Sequence, residues 1–262
     1  MPELPEVETV VRSLAAHLEG QTIASAILSS HLVTRGDINR TARLLAGRRI
    51  VALRRRGKQI LAELDSGLLY IHLGMTGKLL WNAVPGKHAR AILELDSGRL
   101  VFDDIRQFGR FEYYASLPKQ LDRIGPDALE VSFDEFYERL RAHRTRIKPL
   151  LLNQSIFGGL GNIYVDELLF RAGIHPRRLA SGISQKRAHT LHSEIGPLLR
   201  TAIEQGGSSI SDYVDAAGQR GSFQVMHQVY GRTGMPCLIC GTPVRRIVVA
   251  QRGTHFCPKC QR

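Results

Sequence analysis

The second residue of this chain has the capacity for covalent chemistry. Pro2 follows Met1, a context in which the initiator methionine is commonly removed, and removal leaves a secondary amine at the chain terminus. An α-amino group has a pKa of about 8 against about 10.4 for lysine, so far more of it is a free base near neutrality. Val7, Val10, Val11, Leu14 and Leu18 recur at helical spacing just beyond it, and the positive end of that helix favours the neutral amine. A secondary amine that attacks a masked aldehyde carbon, such as C1′ of a sugar, gives an iminium. The fixed positive charge acidifies the neighbouring carbon for elimination. Glu3 stands beside it as a proton donor to the sugar ring oxygen. Taken alone, a second-position proline is most often just a tolerated terminal residue.

The other concentration of chemistry is at the far end. Cys237, Cys240, Cys257 and Cys260 are the only cysteines, arranged as two CxxC pairs with sixteen residues between them. That spacing matches a four-thiolate Zn²⁺ site. The segment between the pairs, VRRIVVAQRGTHF, reads as a β-hairpin, and a metal would hold together a piece too short to bury a core of its own. Two disulfides or a redox dithiol are the competing readings, and an intracellular setting disfavours both. The site is a structural clip and names no activity.

The elements that must position these residues change character along the chain. An amphipathic helix starts after Pro5 and ends at Gly20. From Thr22 to about Tyr114 short β-type runs follow one another (IVALRRRGKQILAEL, LLYIHLGM, AILELDSGRLVF, FGRFEYY), with Asp65-Ser66-Gly67 and Asp96-Ser97-Gly98 as hairpin turns. Several short strands in sequence suggest a sandwich or barrel. Residues 118–131, with Pro118, Gly125 and Pro126, read as a linker. From about Ser132 to Gln205 the pattern is helical again: FDEFYERLRAHR, KPLLLN, IYVDELLFRAG and a long helix from Ser184 to Gln205. Residues 206–224, rich in Gly, Ser and Asp, read as a flexible loop. The expected architecture is α+β and multidomain, with an N-terminal β-sandwich carrying an N-terminal helix, then a basic helical domain ending in a zinc ribbon.

The net charge is +12 and the pI near 10.0, which points to a polyanionic partner, nucleic acid before a membrane surface. Residues 1–140 hold 19 Lys+Arg against 18 Asp+Glu, whereas residues 141–262 hold 17 against 6. Almost all the excess lies in the second half, as expected if that half grips phosphates. No apolar run approaches the ~20 residues of a membrane span, and MPELPEVETV has no basic region followed by an apolar stretch, so no secretory signal is expected and the cytoplasm is the default location.

PELPEVETV at the start, HLGMTG at 72–77, GGLGNIYVDE at 158–167 and the terminal CxxC…CxxC occur together and in order. This combination resembles the formamidopyrimidine-DNA glycosylase family, the bacterial 8-oxoguanine repair enzymes. The resemblance implies four segments: a catalytic β-sandwich domain (1–117), the linker (118–131), a helix–two-turn–helix domain (132–224) whose 206–224 loop caps the lesion, and the zinc ribbon (225–262). It implies a bifunctional glycosylase and abasic-site lyase acting on double-stranded DNA with oxidised purines or abasic sites, as a monomer, with one structural Zn²⁺.

Site residues follow from the same resemblance. Pro2 would be the Schiff-base nucleophile, Glu3 the neighbouring acid and Glu6 a support to both. Lys58, in RRRGKQILAEL, would assist catalysis, and Arg252, in AQRGTHFC, would serve the second elimination. Met75, Arg106 and Phe108 would fill the space left by a flipped base, as inserted apolar side chains and a guanidinium do well. His72, His88, Arg144, Lys148 and Asn162 would anchor phosphates, helped by the backbone N–H groups of the GGLGN turn. Gln107 departs from the family's usual second basic residue and Val165 from its usual alanine, which puts one phosphate contact in doubt and leaves the chemistry untouched.

Three other readings stand beside this one. The sister endonuclease VIII type acts on oxidised pyrimidines, but its start usually reads PEGPE where this chain has Leu4. A non-catalytic DNA-binding module would be expected to lack Pro2 or Glu3, and both are present. An unrelated zinc-ribbon protein would account for the C-terminus and leave the rest of the chain unexplained.

Overall fold

The computed structural model describes residues 1–210 and 212–262, so Ser211, within the expected capping loop, lies outside the described residues. The chain divides into two compact units, one made of Met1–Leu121 with Ile203–Gln224, the other of Asp122–Ala202 with Val225–Arg262. No helix among the described residues is long and apolar enough to cross a membrane.

The first unit is the expected β-sandwich with its leading helix. Helix α1 (Leu4–Leu18) buries Leu4, Val7, Val10, Val11, Leu14 and Leu18 along one face, the spacing that the sequence announces. Among the described residues ten strands follow, eight of them in this unit: β1 (Ile23–Leu28), β2 (Ile50–Arg56), β3 (Gln59–Leu64), β4 (Leu68–His72), β5 (Lys78–Trp81), β6 (Ala89–Leu95), β7 (Gly98–Asp103) and β8 (Arg110–Tyr114). They form two antiparallel four-stranded sheets, β1-β6-β7-β5 and β2-β3-β4-β8. Inward residues of both sheets, such as Leu93 and Phe102 from one and Ile60 and Ile71 from the other, join the α1 face in a single core. The two Asp-Ser-Gly segments turn the chain from β3 into β4 and from β6 into β7, whose first residue is Gly98; the Gly67 and Gly98 φ angles are +85° and +108°.

Two features of this unit were not in the sequence reading. A short helix, α2 (Ile38–Leu45), interrupts the strands, capped by Asp37, whose carboxylate accepts the Arg40 N–H. Residues 203–224, expected at the end of the helical domain, cluster with this unit.

In the second unit α3 (Phe133–Ala142), capped by Ser132, is followed by α4 (Ile147–Leu152), α5 (Asn162–Arg171) and α6 (Gln185–Glu204), whose last two residues already belong to the first unit. The expected linker is ordered: it contains a 3₁₀ turn at Lys119–Arg123 and buries Leu121 and Val131. The chain closes with the hairpin β9 (Arg245–Val249) and β10 (Arg252–Phe256), joined by Ala250 and Gln251. Both turn residues have positive φ, +48° and +59°, the backbone that a two-residue I′ turn demands.

Candidate active site

In the first unit, Pro2 is buried immediately before α1, and Glu3 and Glu6 are 3% and 1% exposed. The two glutamates form a reciprocal capping box: the Glu3 N–H donates to Glu6 Oε2 at 2.8 Å, and the Glu6 N–H donates to the Glu3 side chain. The box satisfies helix N–H groups that would otherwise have no partner. Glu6 has a second task. Its other oxygen, Oε1, accepts the Ser208 N–H at 2.8 Å, and its carbonyl accepts the Tyr213 hydroxyl at 3.2 Å. Burial, and then the Glu6 charge, pushes the Tyr213 phenol up, so it stays a donor at any ordinary pH. Together Met1, Pro2, Glu6, Met75, Ser208, Ile210 and Tyr213 line a cleft. The 206–224 segment, expected to be flexible, is pinned at Ser208 and Tyr213.

Lys58 sits in the turn between β2 and β3 and is only 5% exposed. Arg55 ties that turn to α1, donating to Glu8 Oε2 at 2.7 Å and to the Gly57 carbonyl at 3.0 Å. Burial, with the charges of Lys58 and Arg110, holds His72 down at about 4. The His72 ring is therefore neutral near pH 7. Its Nδ1 accepts the Gly74 N–H at 3.1 Å, which leaves the proton on Nε2 as a donor.

Met75, Arg106 and Phe108 come together at the surface. Met75 and Phe108 are 43% and 54% exposed, the Arg106 guanidinium lies 4.6 Å from the Phe108 ring centroid, and Arg106 Nη1 is 3.3 Å from Met75 Sδ. The two loops that carry them are joined from beneath by buried Asp104. Its carboxylate accepts the Thr76 hydroxyl at 2.6 Å and the Gly109 N–H at 2.8 Å, while Thr76 Oγ1 accepts the Arg106 N–H at 3.1 Å. Gly74 is required at this join: its φ is +61°, and a Cβ would stand 2.6 Å from the Gly109 nitrogen. Gln107 accepts the Ser30 hydroxyl at 2.6 Å. His88 lies near this join: its carbonyl accepts the Asp104 N–H at 3.0 Å, and its Nδ1 is 3.2 Å from Arg90 Nη2.

The second unit holds the remaining candidates. Arg144 is exposed between α3 and α4. Lys148 is not available to a phosphate in this structure. It is fully buried, and its Nζ lies 2.6 Å from Asp166 Oδ1 and 3.2 Å from the Gly253 carbonyl. An unshielded buried ammonium would be prohibitive, so it is paired. Asn162, at the start of α5, also donates to the Gly253 carbonyl, at 3.0 Å. The GGLGN turn is likewise less open than expected. The Gly158 N–H donates to the Pro126 carbonyl and the Gly159 N–H to Gln154 Oε1. Arg252 is exposed at the first position of β10.

Asp166 and Glu167 went unnoticed in the sequence. Asp166 Oδ2 accepts the His255 N–H at 2.8 Å, and the Glu167 carboxylate accepts the N–H groups of Gln228, Val229 and Tyr230 at 2.8–3.0 Å. Burial pushes Glu167 up, and the three N–H donors oppose that shift. Two adjacent acids inside the otherwise apolar run IYVDELLF were the only signal available.

The four cysteines are free thiols whose Sγ atoms all lie within 4.8 Å of one another. Cys237–Cys260 and Cys240–Cys257 are 3.9 and 3.5 Å apart. A tetrahedron with Zn–S bonds of about 2.3 Å has edges of about 3.8 Å, so the donor set fits one structural Zn²⁺. Phe170, Val229 and Val244 pack around it.

Family models match the chain in three consecutive segments: the formamidopyrimidine-DNA glycosylase N-terminal domain over residues 1–111, the H2TH domain of the same enzymes over 124–214, and a zinc finger found in FPG and IleRS over 234–262. The chain is 55% identical to the formamidopyrimidine-DNA glycosylase of Solibacter usitatus, with all of both chains covered. It belongs to the formamidopyrimidine-DNA glycosylase family. Within that family, the Acidovorax sp. (strain JS42) enzyme is 44% identical over the full length of both chains. Two solved structures of the family are also similar. The MutM (Fpg) protein of Thermus thermophilus has 42% identity and a TM-score of 0.91, covering 99% of this chain and 98% of that one. Lactococcus lactis Fpg in complex with DNA containing an abasic site has 40% identity and a TM-score of 0.91, covering 99% of both chains.

Proposed function

We propose that this protein is a base-excision repair enzyme, a bifunctional DNA glycosylase and abasic-site lyase that removes oxidised purines from duplex DNA through an imine on Pro2. The observation that carries the reading is the placement of Pro2. It lines a cleft at the positive end of α1, with Glu3 next in sequence and Glu6 fixing the Glu3 backbone. Relatives that share the name along their whole length support the same activity.

After loss of Met1, the Pro2 nitrogen attacks C1′ of the damaged nucleotide and the base departs. Glu3 delivers a proton to the ring oxygen as the C1′–O4′ bond opens, and the iminium forms. Loss of a C2′ proton then breaks the C3′–O bond, and loss of a C4′ proton breaks the C5′–O bond. Hydrolysis frees Pro2 and leaves a one-nucleotide gap bounded by phosphates. Lys58, buried beside neutral His72, assists at the sugar, and His72 donates its Nε2 proton to a phosphate. Met75, Arg106 and Phe108 occupy the space of the extruded nucleotide; their exposure suits a wedge and would be out of place in a core. His88, Arg144 and Asn162 hold phosphates further along, and Arg252 receives the phosphate released in the last step. Lys148 acts from within the fold. Zn²⁺ on the four cysteines stabilises the ribbon and takes no part in bond breaking. The enzyme works as a monomer in the cytoplasm, at the nucleoid.

Borohydride reduction in the presence of an 8-oxoguanine duplex tests the proposal. The wild-type protein should form a stable adduct through Pro2, and Pro2→Gly should form little or none. Absence of an adduct with the wild-type protein, once its N-terminus is shown to be Pro2, would refute the lyase assignment.

A further inference from the structure

Arg252 stands exposed on a hairpin that has almost no core of its own, yet the backbone just beyond it is fixed by a buried polar cluster. Lys148 and Asp166 are both 0% exposed in their side chains and lie 2.6 Å apart. Asp166 Oδ2 takes the His255 N–H at 2.8 Å and approaches the His255 ring Nδ1 at 3.3 Å. Lys148 Nζ and Asn162 Nδ2 converge on one atom, the Gly253 carbonyl, at 3.2 and 3.0 Å. Gly253 follows Arg252 directly, and His255 is three residues on, so α4 and α5 hold β10 at two points close to Arg252. Asp166 is the hub, because it both neutralises Lys148 and binds the strand.

We infer that Asp166, through its buried pair with Lys148, is a positioning residue for Arg252, and that it sets the rate of the second strand cleavage separately from the first. The inference rests on the role given to Arg252 above. In that step the C4′ proton is lost, the C5′–O bond breaks and its electron pair leaves with the phosphate. A guanidinium aids departure only if its two N–H groups meet the phosphate oxygens, so a displacement of about 1 Å is costly in rate. Imine formation at Pro2 and the first cleavage at C3′ do not call on Arg252 and should not feel the change.

The test uses the full-length zinc-loaded protein with a duplex carrying a preformed abasic site, so that base recognition plays no part. The unsaturated aldehyde from the first cleavage and the phosphate end from the second are resolved on a denaturing gel. Asp166→Asn should raise the ratio of first-cleavage to second-cleavage product by about tenfold or more, with borohydride trapping unchanged. Asp166→Asn strands the Lys148 charge and can unfold the unit. The double change Lys148→Met with Asp166→Leu removes both charges at similar volume, which buried pairs often tolerate, and it should shift the ratio in the same direction. In an Arg252→Ala background neither change should alter the ratio further.

Unchanged product ratios in the folded double variant would overturn the inference, as would an equal fall in every step or an added effect in the Arg252→Ala background. If Arg252→Ala alone left the ratio at its wild-type value, the assignment of Arg252 itself would fail, and the role of Asp166 with it.

Discussion

Replacing Glu6 by glutamine tests whether one buried carboxylate holds the nucleophile and the 206–224 segment in register. The substitution keeps shape and size. In the parent each carboxylate oxygen accepts one backbone N–H, from Glu3 and from Ser208, both at 2.8 Å. Glutamine offers one oxygen and one NH₂ group, so whichever way it is turned, one N–H donor faces another donor. A hydrogen bond to a charged group contributes about 1.5–3 kcal/mol, and leaving a buried donor unsatisfied adds to the loss. With the side chain 1% exposed, water cannot make up the difference, and a destabilisation of about 2–3 kcal/mol follows. At about 2–4 °C per kcal/mol for a chain of this size, the melting transition of the first unit should fall by about 4–12 °C. Amide hydrogen exchange gives the sharper reading: protection should be lost at Glu3 or at Ser208, and not at both. If the variant melts with the parent and keeps both amides protected, the bridging role of Glu6 is wrong.

Three further outcomes are expected. Removing Zn²⁺ with a chelator should release one metal per chain and abolish DNA binding by disordering residues around the four cysteines, while the strand signal of the sandwich persists; retained binding would take the ribbon out of the interface. His72 should titrate near 4 by NMR. Because the unfolded ring takes up its proton near 6.5, this site loses stability as pH falls from about 6.5 towards 4 and has nothing more to lose below that; a folded-state midpoint near 6.5 would contradict its burial. Gly74→Ala should destabilise the protein by about 1–3 kcal/mol, since it forces a side chain into a left-handed backbone that also abuts Gly109, and it should weaken damaged-duplex binding by moving Phe108; wild-type values for both would show the join to be plastic.

Those expectations draw on residues that were unequally legible in the sequence. Period and punctuation gave α1, the strands and their Asp-Ser-Gly turns, because burial on one face repeats at 3.6 or 2 residues. Helix α2 escaped, because among its eight residues only Leu45 is buried, too little to impose a period. The cysteines could be read outright, since metal geometry constrains spacing. Lys148 misled because a sequence shows a lysine's charge and not its depth; the counter-ion, Asp166, is eighteen residues away and makes sense only once α4 and α5 are packed. Met75 and Phe108 present the reverse case. Their type suggests a core, and only the family resemblance places them at the surface, where the structure exposes them.

The segments that periodicity describes poorly share one physical solution. The 206–224 loop, the stretch through Gln228–Tyr230 and the zinc hairpin carry too few apolar side chains to be held by burial alone. In each a buried carboxylate binds successive or facing backbone N–H groups: Glu6 takes Ser208, Glu167 takes Gln228, Val229 and Tyr230, and Asp166 takes His255. Apolar contacts are non-directional and tolerate sliding, whereas a carboxylate in a low-dielectric setting fixes a particular amide at a particular distance. Chemistry on an extruded nucleotide needs that kind of fixation, because a reacting atom misplaced by about 1 Å costs orders of magnitude in rate. The same arrangement makes these segments sensitive to isosteric changes that leave the apolar cores untouched, so amide-for-acid substitutions at Glu6 and Glu167 should impair function well before they unfold either unit.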